Sequence, residues 1–184
     1  WMLDNGPNGS GKCTKSYISG DSAGGGLSLG VTLALKDDNS ELPNAVIPLS
    51  PWAELDPVSE TYDTNADIDP YISKDAIAAF RDLYIKDESD LINPYASPVY
   101  GNYEGFPPLL IQVGGREVLL DDSKKVAESA ESSGCDIKLE VWDDMVHVFH
   151  GYAPFLPEAN EALDAIADFI SVSYTHLTLP TSIQ

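Results

Sequence analysis

Apolar residues recur along the chain in short runs between polar and glycine-rich breaks, and the period of each run separates strands from helices. Tyr17-Ile18-Ser19 reads as a strand, Gly20 to Gly26 as a tight turn, and Leu27 to Lys36, apolar at helical spacing, as a helix. Ala45 to Leu49 is apolar throughout and bounded by Pro43 and Ser50-Pro51, which suits a strand buried on both faces. A second helix is expected from about Lys74 to Tyr84, capped by Ser73 or Asp75. Leu109 to Val113 is the clearest buried strand, after which Asp121 or Asp122 caps a helix that reaches about Ser133 and stops at Gly134. Ile137 to Trp142 alternates with the period of a strand, and from Pro157 the positions Ala159, Ala162, Leu163, Ile166, Ala167, Phe169 and Ile170 form one apolar helical face.

Strands alternating with helices imply an α/β architecture with a largely parallel sheet. The strands are fewer than a doubly wound sheet usually holds, so the expectation is a partial domain over residues 1–171 whose N-terminal strands are missing. Residues 52–107, rich in Asp, Tyr, Asn and Pro, read as an excursion between sheet strands. The opening Trp1 reads as interior to a longer protein, and residues 172–184, without an acidic side chain, as a non-native tail; a genuine C-terminal strand is the alternative.

Composition narrows the class. The 184 residues are 43% hydrophobic and 22% charged, enough to fill a core. Thirty acidic against ten basic residues give a formal charge of −20, which repels phosphate backbones and argues against a nucleic-acid partner. No run approaches the roughly 18 apolar residues of a membrane span. Cys13 and Cys135, too few for a disulfide framework and outside any C-x-x-C pair, read as ordinary thiols in a reducing, cytoplasmic setting.

Gly20-Asp21-Ser22-Ala23-Gly24 fits G-x-S-x-G between a strand and a helix. A serine on so sharp a turn projects its hydroxyl above the sheet, with glycines two residues before and after it letting strand and helix pass closely. The helix that follows directs its positive end at a developing oxyanion, and the Ala23 N–H becomes one donor to it. Ser22 needs an imidazole as base and a carboxylate to orient that imidazole. His147 and His150 both lie on the loop beyond Trp142, while His176 lies in the doubtful tail. Glu117, Asp121 and Asp122 follow the strand ending at Val113; the two aspartates are accounted for as helix caps, and Glu117 has no such structural reason to be there. This chemistry calls for no metal or organic cofactor.

The order serine, acid, histidine, with G-D-S-A-G-G at Gly20 to Gly25, V-G-G-R-E-V-L-L-D-D at Val113 to Asp122, D-M-V-H-V-F at Asp144 to Phe149 and N-P-Y-A-S-P at Asn93 to Pro98, resembles the hormone-sensitive lipase family of α/β-hydrolases, over about residues 1–171. The resemblance implies an α/β-hydrolase fold and a serine carboxylester hydrolase acting on short to medium acyl esters. It implies Ser22 as nucleophile, His147 as base and Glu117 as acid, with Asp121 the alternative acid and His150 a bystander. The family more often has Asp where Glu117 stands. It also draws oxyanion donors from an H-G-G-G loop upstream of the nucleophile, which has no counterpart before Gly20, so this chain is expected to be an inactive fragment of an active esterase. Part of the family's cap would come from about Trp52 to Tyr84, where Tyr62, Tyr71 and Phe80 either line an acyl pocket or pack a core.

Two other classes compete. A binding module that keeps the fold without its chemistry is one. The other is a nucleotide-binding fragment, because Gly6 to Thr14 resembles a phosphate loop; there Cys13 takes the place of the magnesium-binding Ser or Thr, and a strand follows where such a loop needs a helix.

Overall fold

Four strands pair in parallel in chain order: β1 (Tyr17–Asp21), β2 (Ala45–Leu49), β3 (Leu109–Gly114) and β4 (Ile137–Trp142). The computed structural model describes residues 3–6, 9 and 11–176. β3 is buried at every position and β2 at all but its last, as the uninterrupted apolar runs predict for inner strands of a sheet covered on both faces. β1 and β4, the two outer strands, are only partly buried.

The strand period decides which helix covers which face. Leu109 and Ile111 of β3 pack with Leu29 and Leu33 of α1 (Ala23–Asp37) and with Val126 and Ala130 of α4 (Leu120–Ser132). Gln112 points to the opposite face, where its amide donates to the Ala162 carbonyl of α5 (Pro157–His176) at 3.0 Å. The sheet thus lies between two helical layers. Between β2 and β3 the chain forms the four-residue helix α2 (Thr61–Thr64) and then α3 (Lys74–Tyr84), whose Ser73 cap accepts from the Ala76 N–H at 3.2 Å.

Helix α1 begins directly after Ser22 and passes unusually close to neighbouring backbone. A Cβ at Gly26 would stand 2.0 Å from the Trp52 carbonyl oxygen, and one at Gly20 would stand 2.3 Å from that of Gly24. Gly24 itself has open space where a Cβ would go. The close passage therefore needs Gly20 and Gly26, and of the two glycines flanking Ser22 symmetrically only Gly20 is required by it.

Two expectations are corrected. Neither Asp121 nor Asp122 caps α4: both lie inside its first turn, and their carboxylates reach other segments. Asp122 accepts from the Ala53 and Glu54 N–H groups at 2.9 Å each, and Asp121 accepts from the Thr61 N–H at 3.1 Å. The apolar face of α4 sets its position against the sheet, so its acids are free to tie down the loop after β2. Also, α5 continues through residues 172–176, so that part of the expected tail is helix and not strand; residues 177–184 lie outside the described residues.

Candidate active site

In a parallel sheet every strand delivers its following loop to the same edge, and functional groups gather at those C-terminal ends. Here four successive strand ends deliver Ser22, Ser50, Glu117 and His147.

Ser22 sits at φ 55°, ψ −120°, a backbone conformation that is costly for any residue with a Cβ. The turn is held by three backbone hydrogen bonds: Ser22 N–H to the Leu49 carbonyl at 2.9 Å, Trp52 N–H to the Ser22 carbonyl at 2.9 Å, and Gly26 N–H to the same carbonyl at 3.1 Å. Ala23 is the first residue of α1, so its N–H belongs to the helix end that has no intrahelical acceptor. Among the described residues the Ser22 hydroxyl takes no hydrogen bond. Ser22 and Ala23 line a cavity of about 470 Å³ whose other walls include Leu27, Trp52, Ile77 and Phe80. Of the three aromatic residues considered for an acyl pocket, only Phe80 lines it. Tyr62 is fully buried against Ile77, Val118 and Leu119, and the Tyr71 hydroxyl meets that of Tyr152 near the surface.

Glu117 is fully buried and His147 nearly so, and they are joined by a hydrogen bond of 2.7 Å between Glu117 Oε2 and His147 Nδ1. Glu117 Oε1 accepts from the Ser50 hydroxyl and from the Gly114 N–H, both at 2.6 Å. With both of these donors on Oε1, Oε2 is the oxygen that faces Nδ1, and in the neutral ring a proton on Nδ1 would leave the Nε2 lone pair free. The loops carrying Glu117 and His147 are brought together by backbone contact: Arg116 N–H donates to the Met145 carbonyl at 3.1 Å, and a Cβ on Gly114 would lie 2.4 Å from that same oxygen. Val148, next to the histidine, sits at φ 51°, an outlier for a β-branched residue.

The remaining candidates lie elsewhere. Asp121 is engaged by Thr61 and by Lys124 Nζ at 3.2 Å, away from the imidazole. His150 is buried with its Nε2 2.9 Å from Gln112 Oε1 of β3, and burial pushes its imidazole down to about 4. In the segment resembling a phosphate loop, the Gly6 N–H donates to Gly11 and the Gly9 N–H to Gly6, so these amides are turned inward on the loop itself, and β1 follows. Residues 7, 8 and 10 of that segment lie outside the described residues. Sequence reasoning missed Ser50, whose only signal is a Ser-Pro pair at the end of a buried strand.

Residues 1–151 match the alpha/beta hydrolase fold family. The chain belongs to the hormone-sensitive-lipase-like family of α/β-hydrolases. An acetyl-hydrolase of Streptomyces hygroscopicus is 36% identical over 153 residues, covering 83% of this chain and 51% of that protein. An esterase of Acinetobacter venetianus is also 36% identical, covering 83% of this chain and 50% of its own length. Among solved structures, an esterase from the bacterial hormone-sensitive lipase family superposes with a TM-score of 0.80 at 42% identity, covering 83% of this chain and 51% of that one. The esterase EstE5, in a crystal soaked with p-nitrophenyl butyrate, superposes with a TM-score of 0.81 at 42% identity, covering 86% and 53%. This α/β-hydrolase chain spans about half the length of the relatives it matches. Among its described residues no helix is long and apolar enough to cross a membrane.

Proposed function

We propose that this α/β-hydrolase chain carries the nucleophile, acid and base of a serine carboxylester hydrolase. The observation that carries the reading is the Glu117–His147 bond at the strand ends that also bear Ser22 on its strained turn. In this reading Ser22 Oγ attacks the ester carbonyl while His147 Nε2 takes its proton, and the carbonyl oxygen gathers negative charge against the Ala23 N–H. The alcohol leaves with the proton from His147. Water, activated by the same imidazole, then attacks the acyl-enzyme and frees the acid and Ser22. Glu117 holds the ring with its proton on Nδ1 throughout.

The apolar cavity beside Ser22 suits an acyl chain of short to medium length, in keeping with relatives named acetyl-hydrolase and esterase. With the Ala23 N–H as the one oxyanion donor this reading identifies among the described residues, turnover is expected to be held back by about 10²–10³. Reaction with a fluorophosphonate probe tests the nucleophile independently of turnover. The folded chain is expected to be labelled at Ser22, with labelling abolished in Ser22→Ala; a folded chain that takes no label would support a binding module instead. Hydrolysis of p-nitrophenyl butyrate at the rate of a full-length relative would overturn the one-donor account while leaving the nucleophile in place.

A further inference from the structure

A fourth side chain joins the strand ends that carry Ser22, Glu117 and His147. Ser50, the first residue after β2, is completely buried, and its hydroxyl does two things at once. It donates to Glu117 Oε1 at 2.6 Å and accepts from the Val148 N–H at 3.1 Å. The second bond fixes the direction of the first, because a hydroxyl that accepts from Val148 has its own proton left to give to the carboxylate. Its backbone N–H donates to the Gln112 carbonyl at 2.7 Å, so the residue is anchored to β3 as well.

The backbone at Ser50 is in the left-handed region, φ 46°, as is that of Val148 at φ 51°. Glycine would occupy the first position at lower cost, so what serine contributes there is its hydroxyl. That oxygen bridges the acid and the residue directly after the base, two loops that follow different strands. With the Gly114 N–H it occupies Oε1 completely and leaves Oε2 as the only face the carboxylate can offer the imidazole. Relaxing it frees Glu117 to rotate, and frees the His147–Val148 peptide from a conformation that a β-branched residue does not hold unaided.

We propose that Ser50 is a positioning residue of the active site, whose hydroxyl selects the Nδ1–H tautomer of His147 by fixing Glu117 on one side and the His147 loop on the other. The proposal rests on the reading of Glu117 and His147 as acid and base, and it is tested without relying on turnover. In the 184-residue chain labelled with ¹⁵N-histidine, the nitrogen shifts of the neutral His147 ring show which ring nitrogen carries the proton, with His147→Gln giving the assignment. The wild-type chain is expected to hold the proton on Nδ1. Ser50→Ala and Ser50→Gly are expected to lower that population measurably, because Glu117, released at Oε1, no longer keeps Oε2 on Nδ1–H in every molecule. The His150 signals are expected to stay in place, since that ring is held separately by Gln112. Ser50→Gly suits the left-handed backbone, so a defect shared by both variants comes from the lost hydroxyl and not from strain.

Retention of the Nδ1–H tautomer in both variants overturns the proposal, as does a loss that moves His150 equally or unfolds the chain, because each assigns Ser50 a merely structural role. A wild-type chain with its proton on Nε2 overturns the acid–base reading itself. A wild-type signature that survives both substitutions overturns the role of Ser50 alone.

Discussion

A carboxylate and an amide of the same shape differ at position 117 only in what they can give His147. With its oxygen at the Oε1 site, Glu117→Gln still accepts from Ser50 and Gly114, but its nitrogen would donate to His147 Nδ1 and drive the ring proton to Nε2. The imidazole then has no free lone pair at Nε2 with which to take the Ser22 proton in the proposed mechanism. The fold should survive, and fluorophosphonate labelling of Ser22 should slow by about 10³–10⁴, the scale expected when a triad imidazole is held in the wrong tautomer. Asp121→Asn should leave the labelling rate unchanged, because its partners are Thr61 and Lys124; a larger loss there than at Glu117 would reverse the choice of acid. Ser22 and Glu117 stood out in the sequence as candidates because their types sit where local structure gives no other reason for them. The sequence alone left His147 and His150 equivalent, three residues apart beyond one strand, and only the family resemblance separated them. In three dimensions the left-handed turn at Val148 sends one ring to Glu117 and the other to Gln112. Ser50 was not legible, since a serine at a strand end has no periodicity to violate and its partners lie 67 and 98 positions away.

At the scale of elements, the periodic pattern located all four strands and the long helices, because each owes its place to an apolar face. It failed where polar side chains act over distance. Asp121 and Asp122 look like helix caps in one dimension and are ties to the loop after β2 in three. Burial pushes the Asp122 carboxyl up to about 8 even though two backbone donors and Lys125 favour its ionised form. A second polar tie joins the layers around β3: His150 meets Gln112, whose amide donates to Glu140 of β4 at 2.7 Å and to the Ala162 carbonyl of α5. Burial lowers the His150 imidazole to about 4, so between the unfolded value of 6.5 and that value the unfolded chain binds more protons than the folded one. The stability His150 contributes is complete above pH 6.5 and is lost as the pH falls toward 4. Urea unfolding at about pH 7.5 and about pH 5 should therefore show the wild-type chain losing up to about 2 kcal/mol more than His150→Gln. Equal losses would mean that the ring is protonated in place or solvated.

For the molecule as a whole, the feature that matters most beyond packing is its charge, −20 over 184 residues. Added salt acts on this in two opposed ways. It weakens the exposed ion pairs, such as Lys74–Asp63 at 2.9 Å and Lys12–Glu41 at 3.4 Å, each worth about 0–1 kcal/mol. It also weakens the mutual repulsion of 30 acidic side chains, which only 10 basic ones offset. Raising the ionic strength from about 0.01 M to about 0.15 M shortens the screening length from about 30 Å to about 8 Å, from a distance spanning most of such a domain to one spanning neighbouring side chains. Short ion pairs survive that change better than repulsions summed across the surface, so repulsion is the larger loss and salt should stabilise. A gain of about 1 kcal/mol corresponds to a rise in Tm of about 2–4 °C for a chain of this size. Scans in sodium chloride at fixed neutral pH should show a rise of that order that levels off once the screening length falls below the spacing of the acids. A Tm that falls with salt would mean the few ion pairs outweigh the excess of acid, and that the charge is arranged in complementary patches rather than spread over the surface.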